Sequence, residues 1–248
     1  MKLETGKNKI YFISDVHLLF DVDEKEKQKR EKLYDFFDYV KKNGDLLVIA
    51  GDLFDFWYEW KHVIPAYWFP VIHKMRNLIE SGVKIALVTG NHDFEWGEYL
   101  SKCVGINCYD ENMELESEGK KFFIAHGDGY AKKDRGYRLL KKLTRNRISK
   151  FLFKTFVHPD IGIQISKWAS HSSRKLIKID KKLWSEEYFE YARSKFREGF
   201  DYVIMGHLHT PLRREDGEKV YINTGDWISH FSYGYYDGKD LTLNFWPE

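Results

Sequence analysis

Five times along this chain a short apolar run breaks off at a knot of polar, turn-forming residues. The runs occupy 10–13, 46–50, 85–88, 121–125 and 202–205. The knots that follow them are Ser14-Asp15-Val16-His17, Gly51-Asp52, Thr89-Gly90-Asn91-His92-Asp93, His126-Gly127-Asp128 and Gly206-His207-Leu208-His209. Short unbroken runs rich in Val and Ile suit strands covered on both faces. Stretches of helical period lie between: 24–42 carries Leu33, Phe36, Phe37 and Val40, and 66–81 carries Phe69, Ile72, Met75 and Ile79. Strand, polar loop, helix, strand is the rhythm of an α/β fold. Ligands of such sheets sit beyond the carboxyl ends of the strands, where every knot falls.

From 130 to 199 the rhythm changes. Leu140, Leu143, Ile148, Phe151, Leu152 and Phe156 recur at three- and four-residue steps, which predicts amphipathic helices inserted between two core strands. Strand patterns resume at 220–222, 233–236 and 241–245, as a meander or hairpin. The charge is uneven too. Residues 130–182 hold 16 Lys/Arg against 3 Asp/Glu, +13 in a chain whose total is +2, leaving −11 for the rest. That asymmetry points to an anionic partner for the basic segment. Cys103 and Cys108 have neither CxxC spacing nor a second pair, so a disulfide framework or thiolate metal site is excluded and reduced thiols are expected. With no signal-like start and no apolar run of roughly 18 residues, the expectation is a cytoplasmic protein with peripheral contact to an anionic inner-membrane surface.

Taken singly, each knot is an ordinary turn or helix cap. Five at the same place in the strand rhythm are not ordinary, because a folded sheet gathers them along one edge. Asp15, His17, Asp52, Asn91, His126, His207 and His209 then offer imidazole and oxygen donors without thiolate, a set suited to Mn²⁺, Fe²⁺ or Zn²⁺. Seven donors exceed the needs of one ion and fit two, with a carboxylate shared. Two such ions clamp a phosphoryl group and acidify a water.

The ordered series Asp-x-His, Gly-Asp, Gly-Asn-His-Asp, His, Gly-His-x-His is similar to the signature of calcineurin-like metallophosphoesterases, and it covers 15–209. The resemblance implies a single domain over 1–248, a four-layer α/β/β/α sandwich with 130–199 as a helical lid. It further implies two divalent ions, Mn²⁺ with Fe²⁺ or Zn²⁺ as alternatives: Asp15, His17 and His209 hold one, Asn91, His126 and His207 the other, and Asp52 both. By the same carry-over His92 stabilises charge or protonates the leaving oxygen, and Asp93 orients His92.

The wording around the motifs resembles one branch, the UDP-2,3-diacylglucosamine pyrophosphohydrolases of lipid A synthesis. Gly51-Asp52-Leu53-Phe54-Asp55-Phe56-Trp57, Asp134 after His126-Gly127-Asp128, and Asn223-Thr224-Gly225-Asp226-Trp227 carry that resemblance. It implies cleavage of the substrate pyrophosphate to lipid X and UMP, with Asn91, His92, Asp134, Arg174 and His207 touching the substrate. One departure stands out: the branch's best-known members have Arg where this chain has His92. A phosphodiesterase or phosphatase of nucleotides or other soluble esters is the alternative. A non-catalytic scaffold would be marked by lost ligands, and all seven are here; no nucleic-acid-binding motif accompanies the positive charge.

Overall fold

The computed structural model describes residues 8–95, 97–130, 146–176 and 181–247. Asp134, Leu140 and Leu143 lie outside the described residues, and so does the side chain of Arg174, whose helix is described.

The five apolar runs are strands in two stacked sheets. In the first sheet β1 (Ile10–Ile13), β2 (Leu46–Ile49), β4 (Lys84–Val88) and β6 (Asn107–Tyr109) run parallel. The antiparallel hairpin β12 (Ser232–Tyr236) and β13 (Leu241–Phe245) continues it beyond β1. In the second sheet β8 (Lys120–Ala125), β9 (Tyr202–Met205) and β11 (Lys219–Asn223) are parallel. The antiparallel strands β7 (Asn112–Ser117) and β10 (Leu212–Asp216) form its edges. A two-stranded ribbon pairs β3 (Trp57–Tyr58) with β5 (Asp93–Glu95).

Strand periodicity sorts the side chains into layers. Ile10 and Phe12 of β1 point between the sheets, where Phe12 stacks on Phe122 at 6.1 Å between ring centroids. Tyr11 and Ile13 point the other way, onto Leu33, Phe36, Phe37 and Val40 of α1 (Glu24–Asn43). The helix α2 (Phe69–Glu80) covers the same face with Val71, Ile72, Met75 and Leu78. On the far side Phe123 and Ala125 of β8 meet Tyr188, Phe189, Ala192 and Phe196 of α5 (Lys181–Arg197). The order is helix, sheet, sheet, helix. Each large side chain fully buried this way contributes roughly 1.5–3 kcal/mol.

The segment expected as one helical insert divides in two. Its last helix, α5, is the crossover that a parallel β8–β9 pair requires, and it belongs to the sheet. The earlier pair, α3 (Arg147–Phe156) and α4 (Pro159–Leu176), leans on the aromatic run after β2. Phe153 lies 4.9 Å from the Tyr58 ring, Tyr58 donates to the Lys150 carbonyl at 2.9 Å, and Trp60 donates to the Val157 carbonyl at 3.3 Å. Gly162 lets α4 come this near, since a Cβ there would stand 3.0 Å from Trp60. The other face stays open: Ile148, Phe151, Leu152, Phe156, Ile161, Ile165 and Trp168 are exposed, Trp168 by 73% and Phe156 by 75%. No described helix is long and apolar enough to cross a membrane.

Candidate metal centre

The site is made of strand ends. Asp15 and His17 follow β1, Asp52 follows β2, Asn91 and His92 follow β4, His126 follows β8, and His207 and His209 follow β9. Seven non-glycine residues among those described have positive φ, and five of them are Asp15, His17, Asp52, His207 and His209, at φ 45–69°. Left-handed backbone costs an L-residue about 1–3 kcal/mol, so its concentration here marks a site the surrounding structure enforces.

The enforcement is visible. Val16 and His17 both donate backbone N–H to the Asp52 carbonyl, at 2.9 and 3.0 Å, tying the first loop to the second. Beneath them the buried Lys29 of α1 donates to the carbonyls of Val16 and His17 at 3.0 and 2.8 Å, and pairs with Glu26. Glycine is required where loops press together: a Cβ on Gly51, at φ +88°, would collide with the His126 ring, and one on Gly90 with Asp52.

Two groups of donors result, joined at one carboxylate. In the first, His17 Nε2 is 3.7 Å from Asp15 Oδ1 and His209 Nε2 is 3.4 Å from the same oxygen. In the second, the Asn91 side-chain oxygen lies 3.0 Å from His126 Nε2 and 2.9 Å from His207 Nδ1. Asp52 Oδ2 faces both, 3.6 Å from His17 Nε2 and 3.2 Å from His126 Nε2. All seven sequence-derived donors are thus neighbours. Asp15 Oδ1 and both ring nitrogens of His17 are buried without a hydrogen-bond partner. Orphaned buried polar atoms are rare in folded proteins, and hard-oxygen and imidazole ligands aimed at one another fit divalent cations.

The calcineurin-like phosphoesterase model matches residues 8–211, a span that contains every one of these donors. The chain belongs to that family. It is 30% identical to a protein of Porphyromonas gingivalis named UDP-2,3-diacylglucosamine hydrolase, over 96% of this chain and 97% of that one. It is 27% identical to a protein of the same name from Neisseria meningitidis serogroup B, over 90% and 91% of the two chains. Among solved structures it is similar to an archaeal phosphodiesterase, with TM-score 0.50, 18% identity and coverage of 96% of this chain and 99% of that one. That likeness shows the fold. As a family member the protein is built for divalent metal ions and phosphoester chemistry.

Electrostatics give the phosphoesterase site its metal-free character. Burial opposes charge on Asp15, yet His209 and His126 hold it down to about 2. Asp52 lies well below the usual carboxylate range against the same burial, because His126 and His92 face it. Burial also opposes charge on the imidazoles. Asp15 and Asp55 nonetheless lift His17 to about 9, and Asp52 and Asp15 lift His126 to about 10. His207, by contrast, is pushed down to about 4 by burial and by the charge on His126. Protonated His17 and His126 hold positive charge where cations would sit.

His92 is arranged differently from the expectation. Its partner is Asp55: His92 Nδ1 is 2.7 Å from the Asp55 backbone carbonyl and 3.7 Å from its carboxylate, which also lies 3.7 Å from His17 Nδ1. Asp93 instead accepts from the backbone N–H groups of Gly90 and Asp52, at 2.8 and 3.0 Å, so it braces two loops. Burial and the charge on Asp52 raise Asp93 to about 7. The family resemblance implies that Asp93 orients His92, but adjacent side chains at a strand end point apart. Asp55 could have been found only as the second aspartate of Gly51-Asp52-Leu53-Phe54-Asp55. Asp226 was equally hidden. Its Oδ2 lies 3.7 Å from His209 Nδ1, although 17 residues separate the two.

Proposed function

We propose that this phosphoesterase hydrolyses the pyrophosphate bond of UDP-2,3-diacylglucosamine, giving lipid X and UMP. The observation that carries the reaction class is Asp52 facing donors on both sides, His17 at 3.6 Å and His126 at 3.2 Å. The substrate follows from relatives of that name that match nearly the whole chain.

In this reading Asp15, His17 and His209 would hold one ion, Asn91, His126 and His207 the other, and Asp52 would serve both. Mn²⁺ is the favoured metal, with Fe²⁺ and Zn²⁺ accepted by the same donors. When bound, the pair supplies Lewis-acid stabilisation of the phosphoryl oxygens and a more acidic water. The chain's own residues do the rest. His92 commits Nδ1 to the Asp55 carbonyl, which leaves Nε2 for a substrate oxygen. Burial lowers its proton affinity, so Nε2 meets the substrate unprotonated; it would accept the proton that the attacking water gives up and pass that same proton to the leaving oxygen. Asn91, His92 and His207 would contact the diphosphate, and the resemblance adds Asp134 and Arg174 as substrate contacts.

The exposed apolar side chains of α3 and α4 would shelter acyl chains, and the excess of Lys and Arg over 130–182 would hold the protein at an anionic surface of the cytoplasmic membrane. The alternative, a soluble phosphoester, is favoured by His92 standing where the lipid branch has Arg. Turnover of UDP-2,3-diacylglucosamine and of bis(p-nitrophenyl) phosphate by the purified protein with added Mn²⁺ separates the two. Release of UMP at a kcat/KM far above that for the aryl ester supports the lipid substrate; turnover of the aryl ester alone rejects it.

A further inference from the structure

The loop after β11 touches the first donor group at several points. Trp227 donates its backbone N–H to the Asp15 carbonyl at 3.2 Å. The Thr224 hydroxyl lies 2.6 Å from that of Ser14, which in turn donates to the Asp15 carboxylate. Asp226, 4% exposed, is the charged member of this loop. Its Oδ1 accepts the backbone N–H groups of Ile228, Ser229 and His230 at 2.9, 2.7 and 3.1 Å. Three donors on one oxygen fix the carboxylate plane, so the direction of Oδ2 is fixed with it. Oδ2 faces two imidazoles, His230 Nδ1 at 3.1 Å and His209 Nδ1 at 3.7 Å. His209 turns its other nitrogen inward, 3.4 Å from Asp15 Oδ1.

We propose that Asp226 is a positioning residue for the first ion, holding His209 through Nδ1 so that Nε2 is presented to the metal. The inference rests on the two-ion reading of the site. A carboxylate behind a ligand imidazole selects the tautomer, orients the ring and raises its basicity. The 3.7 Å separation is within reach of a small in-plane rotation of the His209 ring, which is 35% exposed and lies stacked on His17 at 5.1 Å between centroids. Among the described residues the partner of His126 Nδ1 is a neutral carbonyl, that of Ala50, at 2.9 Å. Removing the Asp226 charge therefore acts on one ion and spares the other.

Asp226→Asn keeps an oxygen for the three backbone donors and replaces the acceptor that faces His209. Metal-stripped protein titrated with Mn²⁺, with free ion read by electron paramagnetic resonance, is expected to bind two ions. In the variant one constant weakens by about 10–100-fold and the other stays within about threefold. Adding Asp226→Asn to His209→Ala should then weaken binding no further, because the effect runs through that ring. His230→Ala should leave both constants unchanged. If His230→Ala reproduces the loss, or Asp226→Asn weakens both ions alike, the loop as a whole is responsible and the proposal fails. Two native constants in Asp226→Asn also overturn it, whereas wild type that binds no Mn²⁺ overturns the two-ion reading itself. Should Asp226→Asn not fold, nitrogen-15 spectra of the Zn²⁺-loaded wild type decide: His209 protonated at Nδ1 is expected, and protonation at Nε2 refutes the assignment.

Discussion

The loops at the strand ends and the α3–α4 pair are built on opposite principles. In the loops, polar side chains are buried, the backbone is held left-handed, and each donor is tied to another loop. In the helix pair, large apolar side chains stand in solvent, while an inner stripe with Phe153 and Ile163 and the ion pair of Lys167 with Asp21 touch the body of the protein. Reaction chemistry demands atoms fixed to within a fraction of an ångström, which only an over-determined cage supplies. A flexible hydrocarbon demands area without direction. On the proposed reading, the general reaction belongs to the first region and the choice of substrate to the second.

Two substitutions should break the cage in distinguishable ways. Asp52→Ala removes the carboxylate between the groups, so turnover should fall by more than about 10³-fold on any phosphoester, with loss of both ions by elemental analysis. His92→Ala leaves the seven donors in place. Turnover should slow by about 10²–10⁴-fold with metal content intact. If both variants lose metal equally, His92 is part of the cage and its assigned role is wrong.

Much of this cage is legible in the sequence, for a physical reason. Strands covered on both faces need unbroken apolar runs, so the polar residue that ends each run stands out, and all seven donors are found that way. The edge strands carry no such run: β7 alternates, with Met113, Leu115 and Ser117 buried and its other face toward solvent, and β10, Leu-Arg-Arg-Glu-Asp, has no fully buried residue. Asp55 and Asp226 escaped because their partners are fixed by folding, not by spacing. The helix α5 shared an amphipathic pattern with α3, and period alone cannot say whether an apolar stripe faces a sheet or water.

The helix pair can be tested by erasing its outer stripe. Phe151→Ser, Phe156→Ser and Trp168→Gln together change only exposed positions, so stability should move little. The KM for UDP-2,3-diacylglucosamine should rise about tenfold or more, since each buried methylene is worth roughly 0.8 kcal/mol, while kcat/KM for the aryl ester stays unchanged. An equal loss on both substrates would place the stripe in folding and leave acyl recognition elsewhere.

The smallest effect sharpens the cage from the electrostatic side. A cation must displace the protons that His17 and His126 hold, at about 9 and about 10, in the metal-free protein. Loading at pH 7 should therefore release about two protons, measured from the dependence of the calorimetric heat on buffer ionisation enthalpy. The sign for folding follows from the same shifts. Both imidazoles bind protons more tightly folded than unfolded, so their contribution is complete below the ordinary histidine value and is lost as pH rises toward 9–10. Asp15, held near 2, contributes above the ordinary carboxylate value and loses that contribution only as pH falls toward 2. Metal-free protein should then lose thermal stability between neutral pH and 10, while protein loaded with Mn²⁺ should not, because deprotonated imidazoles are what the ions require. A metal-free stability curve flat across that range would mean that the histidines are neutral, and that the cage stands without cations or protons to hold it.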